Sequence, residues 1–227
     1  MPKMIGLIIF DLDDTLIDTS GSYIPFKLKL ALKAMVHAGL QVDSVENAFD
    51  RLIELNAFAG NGKEAIKQFL EEFGWDENIF KIGIDKYYSE IEEKINIKSL
   101  PNTLNVLEEL KQEQILVLVS YGKEREQYKK LYSAEIKEDW FKEIIIVDKY
   151  DKTSYYQQIL TQFSITPEKV LVIGDKFKGD LLPAKNLGIK TVHFMHGRGK
   201  INPPALESVD YQIDNILKVK EIIKELR

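Results

Sequence analysis

The sequence predicts an α/β protein: a doubly wound parallel sheet, Rossmann-like, with an α-helical domain inserted after the first strand. Three observations carry this expectation. Four short apolar runs, at residues 5–10, 115–119, 143–147 and 169–174, are continuous rather than alternating, which is how strands buried on both faces read. From Leu100 onward such runs alternate with stretches of helical spacing, as βαβ units require. Between the first run and residue 97 only helical periodicity occurs.

In chain order, the first strand is Ile5-Gly-Leu-Ile-Ile-Phe10, which stops at Asp11-Leu-Asp13-Asp-Thr15. Four helices follow. Ile24, Leu28, Leu32 and Met35 recur at helical spacing, with Pro25 suited to a first turn and Gly39 to a stop. Val45, Phe49, Leu52, Ile53 and Leu55 mark a second helix. Gly60-Asn-Gly62 breaks the chain, and Ala65, Ile66, Phe69 and Leu70 mark a third, stopped by Gly74. Ile79, Ile82, Ile84, Tyr87, Tyr88, Ile91 and Ile95 mark a fourth. Pro101 then opens a helix carrying Leu104, Leu107 and Leu110. The second strand ends in Ser120 and precedes a charged helix over 123–131. The strand at 143–147 leads through a polar loop to Lys152 and a helix over 154–163. The strand at 169–174 ends in Asp175, and a helix running through Leu187-Gly188 leads to a strand over 190–195. A helix over 215–226 closes the chain. The expected domains are an α/β core of residues 1–19 and 97–227 and a helical domain of 20–96. The crossings at 17–21 and 96–101 are candidate hinges.

In a parallel sheet the strands' carboxyl ends share one edge, and open α/β sheets bind ligands there. That edge would collect Asp11 and Asp13, Ser120, Lys152, and Asp175 with Asp180. Two carboxylates ~4 Å apart repel by about 4 kcal/mol at an effective dielectric of 20, so a site that keeps both ionised calls for a cation. An Asp-rich turn after a strand is the plainer reading of Asp11 and Asp13 taken alone.

Asp11-x-Asp13-x-Thr15, Ser120, Lys152 and Gly174-Asp175 with Asp180 resemble the four motifs of the haloacid dehalogenase superfamily of phosphohydrolases. The resemblance covers about residues 1–20 and 97–227. The helices between them stand where members similar to phosphoglycolate phosphatase and β-phosphoglucomutase carry a helical cap of the first class. The first and fourth motifs are specific. Ser120 is assigned by position, and the lone Lys152 is the weakest of the four.

The resemblance implies a phosphomonoester hydrolase. Asp11 would attack phosphorus and form an aspartyl-phosphate. Asp13 would protonate the leaving oxygen and later activate water. Mg²⁺ would be held by Asp11, the backbone carbonyl of Asp13 and Asp175. Ser120 and the backbone N–H groups of Tyr121 and Gly122 would grip phosphoryl oxygens. Lys152 would pair with phosphate and Asp11, and Asp180 would orient Lys152 or a metal-bound water. Phosphoryl transfer rests mainly on such positioning and charge. Asp13 points to phosphoester chemistry, because the dehalogenase branch lacks an acid at that spacing. The partner would be a small phosphomonoester. A phosphomutase uses the same core and is the alternative, and a non-catalytic phosphate-binding module is a further one.

Other residues have plainer readings. Lys149 competes with Lys152, which is preferred because it immediately precedes a helix; relatives often read Lys-Pro there, whereas this chain reads Lys152-Thr153. Lys176 stands where relatives often have Ser or Thr, and alters metal hydration or points to solvent. Asp14 reads as a turn residue. His37, His193 and His196 lack metal-ligand spacing among themselves and read as structural, and Tyr155-Tyr156 reads as packing. The segment from Gly60 to Lys63 reads as a helix connection, with substrate reading as the alternative. Arg198 reads as a partner for substrate charge or as surface.

Composition narrows the classes. With 36 acidic against 31 basic residues the net charge is −5, which argues against a general nucleic-acid binder. No cysteine is present, so disulfides and thiolate chemistry are excluded. No apolar run reaches the roughly 20 residues that span a bilayer, and the first run is too short for a signal peptide. The expectation is a cytoplasmic monomer or homodimer with no membrane or nucleic-acid partner.

Overall fold

The computed structural model describes residues 4–90 and 95–227. The chain divides into two compact units, Met1–Thr19 with Asn96–Arg227, and Ser20–Ile95.

The first unit is a parallel sheet of six strands: β1 (Leu7–Phe10), β2 (Ile115–Tyr121), β3 (Glu143–Val147), β4 (Val170–Gly174), β5 (Lys190–Phe194) and β6 (Tyr211–Ile213), in the order β3-β2-β1-β4-β5-β6. β1 is central. Phe10 stands opposite Leu118 on one side and Ile173 on the other, and the Asp11 N–H donates to the Ile173 carbonyl at 2.9 Å. The ladder thus holds the Asp11 backbone one residue beyond the strand. The chain runs outward from β1 through β2 and β3, then returns to its other side for β4 to β6. That reversal is the switch point at which such sheets bind ligands.

All four residues of β1 are buried. Leu7 and Ile9 join one apolar cluster with Val117, Val119, Val172, Tyr156 and Ile159. The continuous hydrophobicity of the run follows, since each face of the sheet is covered.

The second unit holds α1 (Ile24–His37), α2 (Val45–Phe58), α3 (Gly62–Phe73) and α4 (Glu77–Tyr88). Leu28, Leu32, Met35, Leu52, Ile66 and Phe69 form its core. Ser44, Asn61 and Asp76 cap the last three helices, each accepting a backbone N–H three residues on, which satisfies an orphan donor. Gly39 and Gly74 stop α1 and α3 at φ +111° and +125°, a region that favours glycine.

The remaining helices belong to the first unit: α5 (Thr103–Leu110), α6 (Glu124–Ser133), α7 (Thr153–Gln162), α8 (Leu182–Asn186), α9 (Gly197–Ile201) and α10 (Lys218–Glu225). Several sequence boundaries shift. α4 stops at Tyr88, so Ile95 is not helical, while Ile91 lies outside the described residues. Gly62 begins α3 instead of breaking the chain. Pro101 lies in the turn before α5, because Asn102 caps that helix in the left-handed region at φ +68°. Ser120 lies within β2, not after it. The short strand β6 and the short helix α9 were not expected. Three residues of β6 are too few for a periodic signal.

Candidate active site

The carboxyl edge of the sheet gathers a buried, charged cluster. Asp11 follows β1, Asp175 follows β4, and Asp180 lies in the wide turn Phe177–Leu181 that leads into α8. One carboxylate oxygen from each can be chosen so that all three lie within 4.8 Å of one another. Asp11, Asp175 and Asp180 are 7%, 1% and 3% exposed. Asp180 comes this close because Gly174 has no side chain: a Cβ there would sit 2.7 Å from the Asp180 carboxylate. Gly199 serves similarly, since a Cβ would stand 2.6 Å from the Asp175 carbonyl.

Lys152 enters this cluster from the start of α7 and is 2% exposed. Its Nζ lies 2.7 Å from Asp11 Oδ1 and 2.6 Å from Asp180 Oδ1, and donates to the Val119 carbonyl at 2.7 Å. Burial alone would lower its pKa, but Asp11 and Asp180 hold the ammonium well above its ordinary value. Lys149 is exposed, so the two candidate lysines stand in opposite environments.

The cluster carries excess negative charge. Burial pushes the Asp11 carboxyl up to about 6 against the pull of Lys152. Burial also raises Asp175, with Asp11 and Asp180 adding to it. Neither Asp175 oxygen has a hydrogen-bond partner, although both are buried. Buried carboxylate oxygens without donors are costly. Hard oxygen donors grouped at this spacing suit a divalent cation, so the cluster could hold a metal. Lys176, half-buried, lies in the fields of Asp175, Asp11, Asp180 and Asp13, which raise its pKa. Its charge belongs to the cluster instead of pointing simply to solvent.

Asp13 has a set of donors of its own. Its Oδ1 accepts from Thr19 Oγ1 at 2.5 Å and Lys130 Nζ at 2.8 Å. Its Oδ2 accepts from Gln127 Nε2 at 3.0 Å and Lys130 Nζ at 3.0 Å. Burial would raise this carboxyl, but Lys130 and Lys176, with the Thr19 hydrogen bond, hold it at about 2. Asp14 makes the turn after β1 with φ +57°, a region Asp tolerates better than most residues.

Ser120 is fully buried, and its Oγ accepts from Gln127 Nε2 at 2.7 Å. The hydroxyl proton is thereby directed elsewhere. The same Nε2 lies 2.8 Å from the Tyr121 carbonyl, so its two N–H groups are shared among Asp13 Oδ2, Ser120 Oγ and that carbonyl. The Gly122 N–H, expected to meet a phosphoryl oxygen, donates to the Val147 carbonyl at 3.1 Å, because the β3 ladder continues past Tyr121. Gly122 has φ +151°, and a Cβ there would press on Gln127 at 3.2 Å.

His193 and His196 have partners in the fold, whereas His37, expected to be structural, is exposed at the end of α1. His193, fully buried on β5, has Nε2 3.1 Å from the Asp175 carbonyl. His196 has Nε2 2.9 Å from Asp18 Oδ1 and 3.9 Å from Asp14 Oδ1. Tyr156 packs in the core, and the Tyr155 hydroxyl donates to Asp148. Arg198 is half-exposed on α9. In the Gly60 to Lys63 segment, Asn61 accepts the Glu64 N–H while Glu64 accepts the Gly60 N–H, which makes it a capped helix start. Sequence reasoning missed Thr19, Gln127 and Lys130. The spacing of the last two, three apart on a helix soon after Ser120, was the available signal, but polar residues on an inner helix face leave no mark in hydropathy.

A doubly wound sheet with three buried aspartates and a buried lysine at its switch point defines an acid-rich site at the edge where such sheets bind ligands. The chain belongs to the haloacid dehalogenase-like hydrolases, whose family profile matches residues 8–194. It is 27% identical to the glyceraldehyde 3-phosphate phosphatase of Pyrococcus furiosus, over 98% of this chain and 94% of that one. It is 28% identical to the protein of the same name from Methanocaldococcus jannaschii, over 99% of each. The fold is similar to that of YfnB from Bacillus subtilis, a structure bound to magnesium, with TM-score 0.70 and 18% identity over 97% of this chain and 99% of that one.

Proposed function

We propose that this chain is a Mg²⁺-dependent phosphomonoester hydrolase that acts on a small phosphorylated metabolite through an aspartyl-phosphate. The observation that carries the reading is the buried group of Asp11, Asp175 and Asp180 with both Asp175 oxygens unpartnered. Asp11, the Asp13 carbonyl and Asp175 would hold the metal, which offsets the carboxylate charge and that of an approaching phosphate.

The chain's own groups then have definite tasks. Lys152, tied to Asp11 Oδ1 and Asp180 Oδ1, fixes the nucleophile and leaves Asp11 Oδ2 to attack phosphorus. The Ser120 hydroxyl, accepting from Gln127, donates to a phosphoryl oxygen. As the ester P–O bond breaks, Asp13 passes to the leaving oxygen a proton that it first takes from solvent, since in the free protein Lys130 and Lys176 hold it ionised. It later takes one from the water that cleaves the aspartyl-phosphate, releasing phosphate and restoring Asp11. The names of the curated relatives make glyceraldehyde 3-phosphate the first substrate to try.

The test is phosphate release from glyceraldehyde 3-phosphate and a panel of small phosphomonoesters, with Mg²⁺ and with chelator. Release that requires Mg²⁺ is expected. No release from any member under either condition would overturn the reading, and isomerisation that needs a bisphosphate activator would make the protein a mutase.

A further inference from the structure

We infer that Lys130, assisted by Gln127, is a positioning residue that acts through Asp13. The inference rests on the hydrolase reading above, in which Asp13 serves the leaving group. Gln127 and Lys130 stand three apart and so share a face of α6. They are 1% and 7% exposed, unusual for such polar side chains. Both end on the same carboxylate.

An ionised carboxylate offers about four acceptor sites. Thr19, Gln127 and the two contacts from Lys130 occupy four on Asp13. A leaving oxygen or a water reaches Asp13 only by replacing one of these donors. The neutral Thr19 hydroxyl is the cheaper to displace, since a bond from a cation is roughly twice as strong.

Gln127 ties the place of Asp13 to Ser120, its Nε2 lying 3.0 Å from Asp13 Oδ2 and 2.7 Å from Ser120 Oγ. The residue that grips phosphate and the residue that serves the leaving oxygen are thus held in register by one helix face.

The test compares glyceraldehyde 3-phosphate, whose alkoxide needs a proton to leave, with p-nitrophenyl phosphate, whose phenolate does not. Because hydrolysis of the aspartyl-phosphate is common to both esters, the readout is kcat/KM, which reports the steps through departure of the leaving group; Lys130→Met is expected to lower it on the alkyl ester on the order of 10- to 100-fold, a part of a full general acid–base effect. On the aryl ester it should change kcat/KM by less than about threefold. Lys130→Arg should recover part of the loss. Should Lys130→Met not fold, Lys130→Gln removes the charge and keeps a donor, with the same split expected. Equal losses on both esters would indicate a structural role and overturn the inference. A gain on the alkyl ester would also overturn it, by showing that the ion pair restrains Asp13. Asp13→Asn is the control. A split there, but none in the Lys130 variants, overturns the inference alone; no split in Asp13→Asn removes the role given to Asp13 and the inference with it.

Discussion

The buried contact between Asp11 and Lys152 would serve stability and chemistry together. Each would be costly alone at 7% and 2% exposure, and they are stable as a pair with Asp180 completing the group. Lys152→Ala leaves two buried carboxylates without their cation. It should destabilise the fold by about 3–5 kcal/mol, read as a shift in the urea midpoint, and should abolish phosphate release. Lys149→Ala removes an exposed side chain and should stay within about 0.5 kcal/mol with activity retained; the reverse ranking would move the catalytic lysine to Lys149. Asp11→Asn keeps the shape but supplies a poor nucleophile. Turnover should vanish while circular dichroism stays unchanged, and residual activity in a clean preparation would remove Asp11 from that role.

At the scale of elements, edges and helix starts depend on single contacts. β6 is joined to β5 through Asp210, whose carboxylate accepts the Thr191 N–H and hydroxyl, both at 2.9 Å, and whose own N–H donates back to Thr191 at 3.1 Å. Burial pushes the Asp210 carboxyl up, but Thr191 and Lys190 together hold it below its ordinary value. A depressed carboxylate stabilises the fold above its unfolded pKa of about 3.9, and that contribution is lost as pH falls through the lower folded value. Asp210→Ala should therefore be less stable than the parent at pH 7 by about 1 kcal/mol. The gap should narrow as pH drops below about 4, as followed by denaturant titration at each pH. In the helical unit, a Cβ on Gly62 would lie 2.2 Å from the Tyr87 ring. Gly62→Ala should lower thermal stability by about 1–3 kcal/mol through overpacking, despite alanine's better helix propensity.

For the whole molecule, a cation held at Asp11 and Asp175 would make folding and metal binding one equilibrium. A ligand that binds only the folded state stabilises it by about 2.7 kcal/mol at a hundred times its Kd. Calorimetry should therefore show a rise in melting temperature with Mg²⁺ that chelator reverses. Asp175→Asn should suppress the rise, because it removes a ligand whose two oxygens have no protein donor. An unchanged transition in the parent protein would remove the metal from this site.

β1 to β4 were legible because each is built on a continuous apolar run closed by a polar residue, and β1 to β5 fall within a residue or two of their expected places, whereas β6 left no such run. Asp11, Ser120, Lys152 and Asp175 were legible for the same reason, since each stands at or just beyond a strand's end or begins the following helix. The chain order of these residues therefore determined both the sheet and the edge on which its polar groups collect. Only the tertiary structure decided among the lysines. It buried Lys152, left Lys149 exposed, and turned Lys130 from a charged helix inward onto Asp13. Burial of a charge depends on partners more than a hundred residues away, as Lys130 and Asp13 are, and local periodicity holds no record of such a partner.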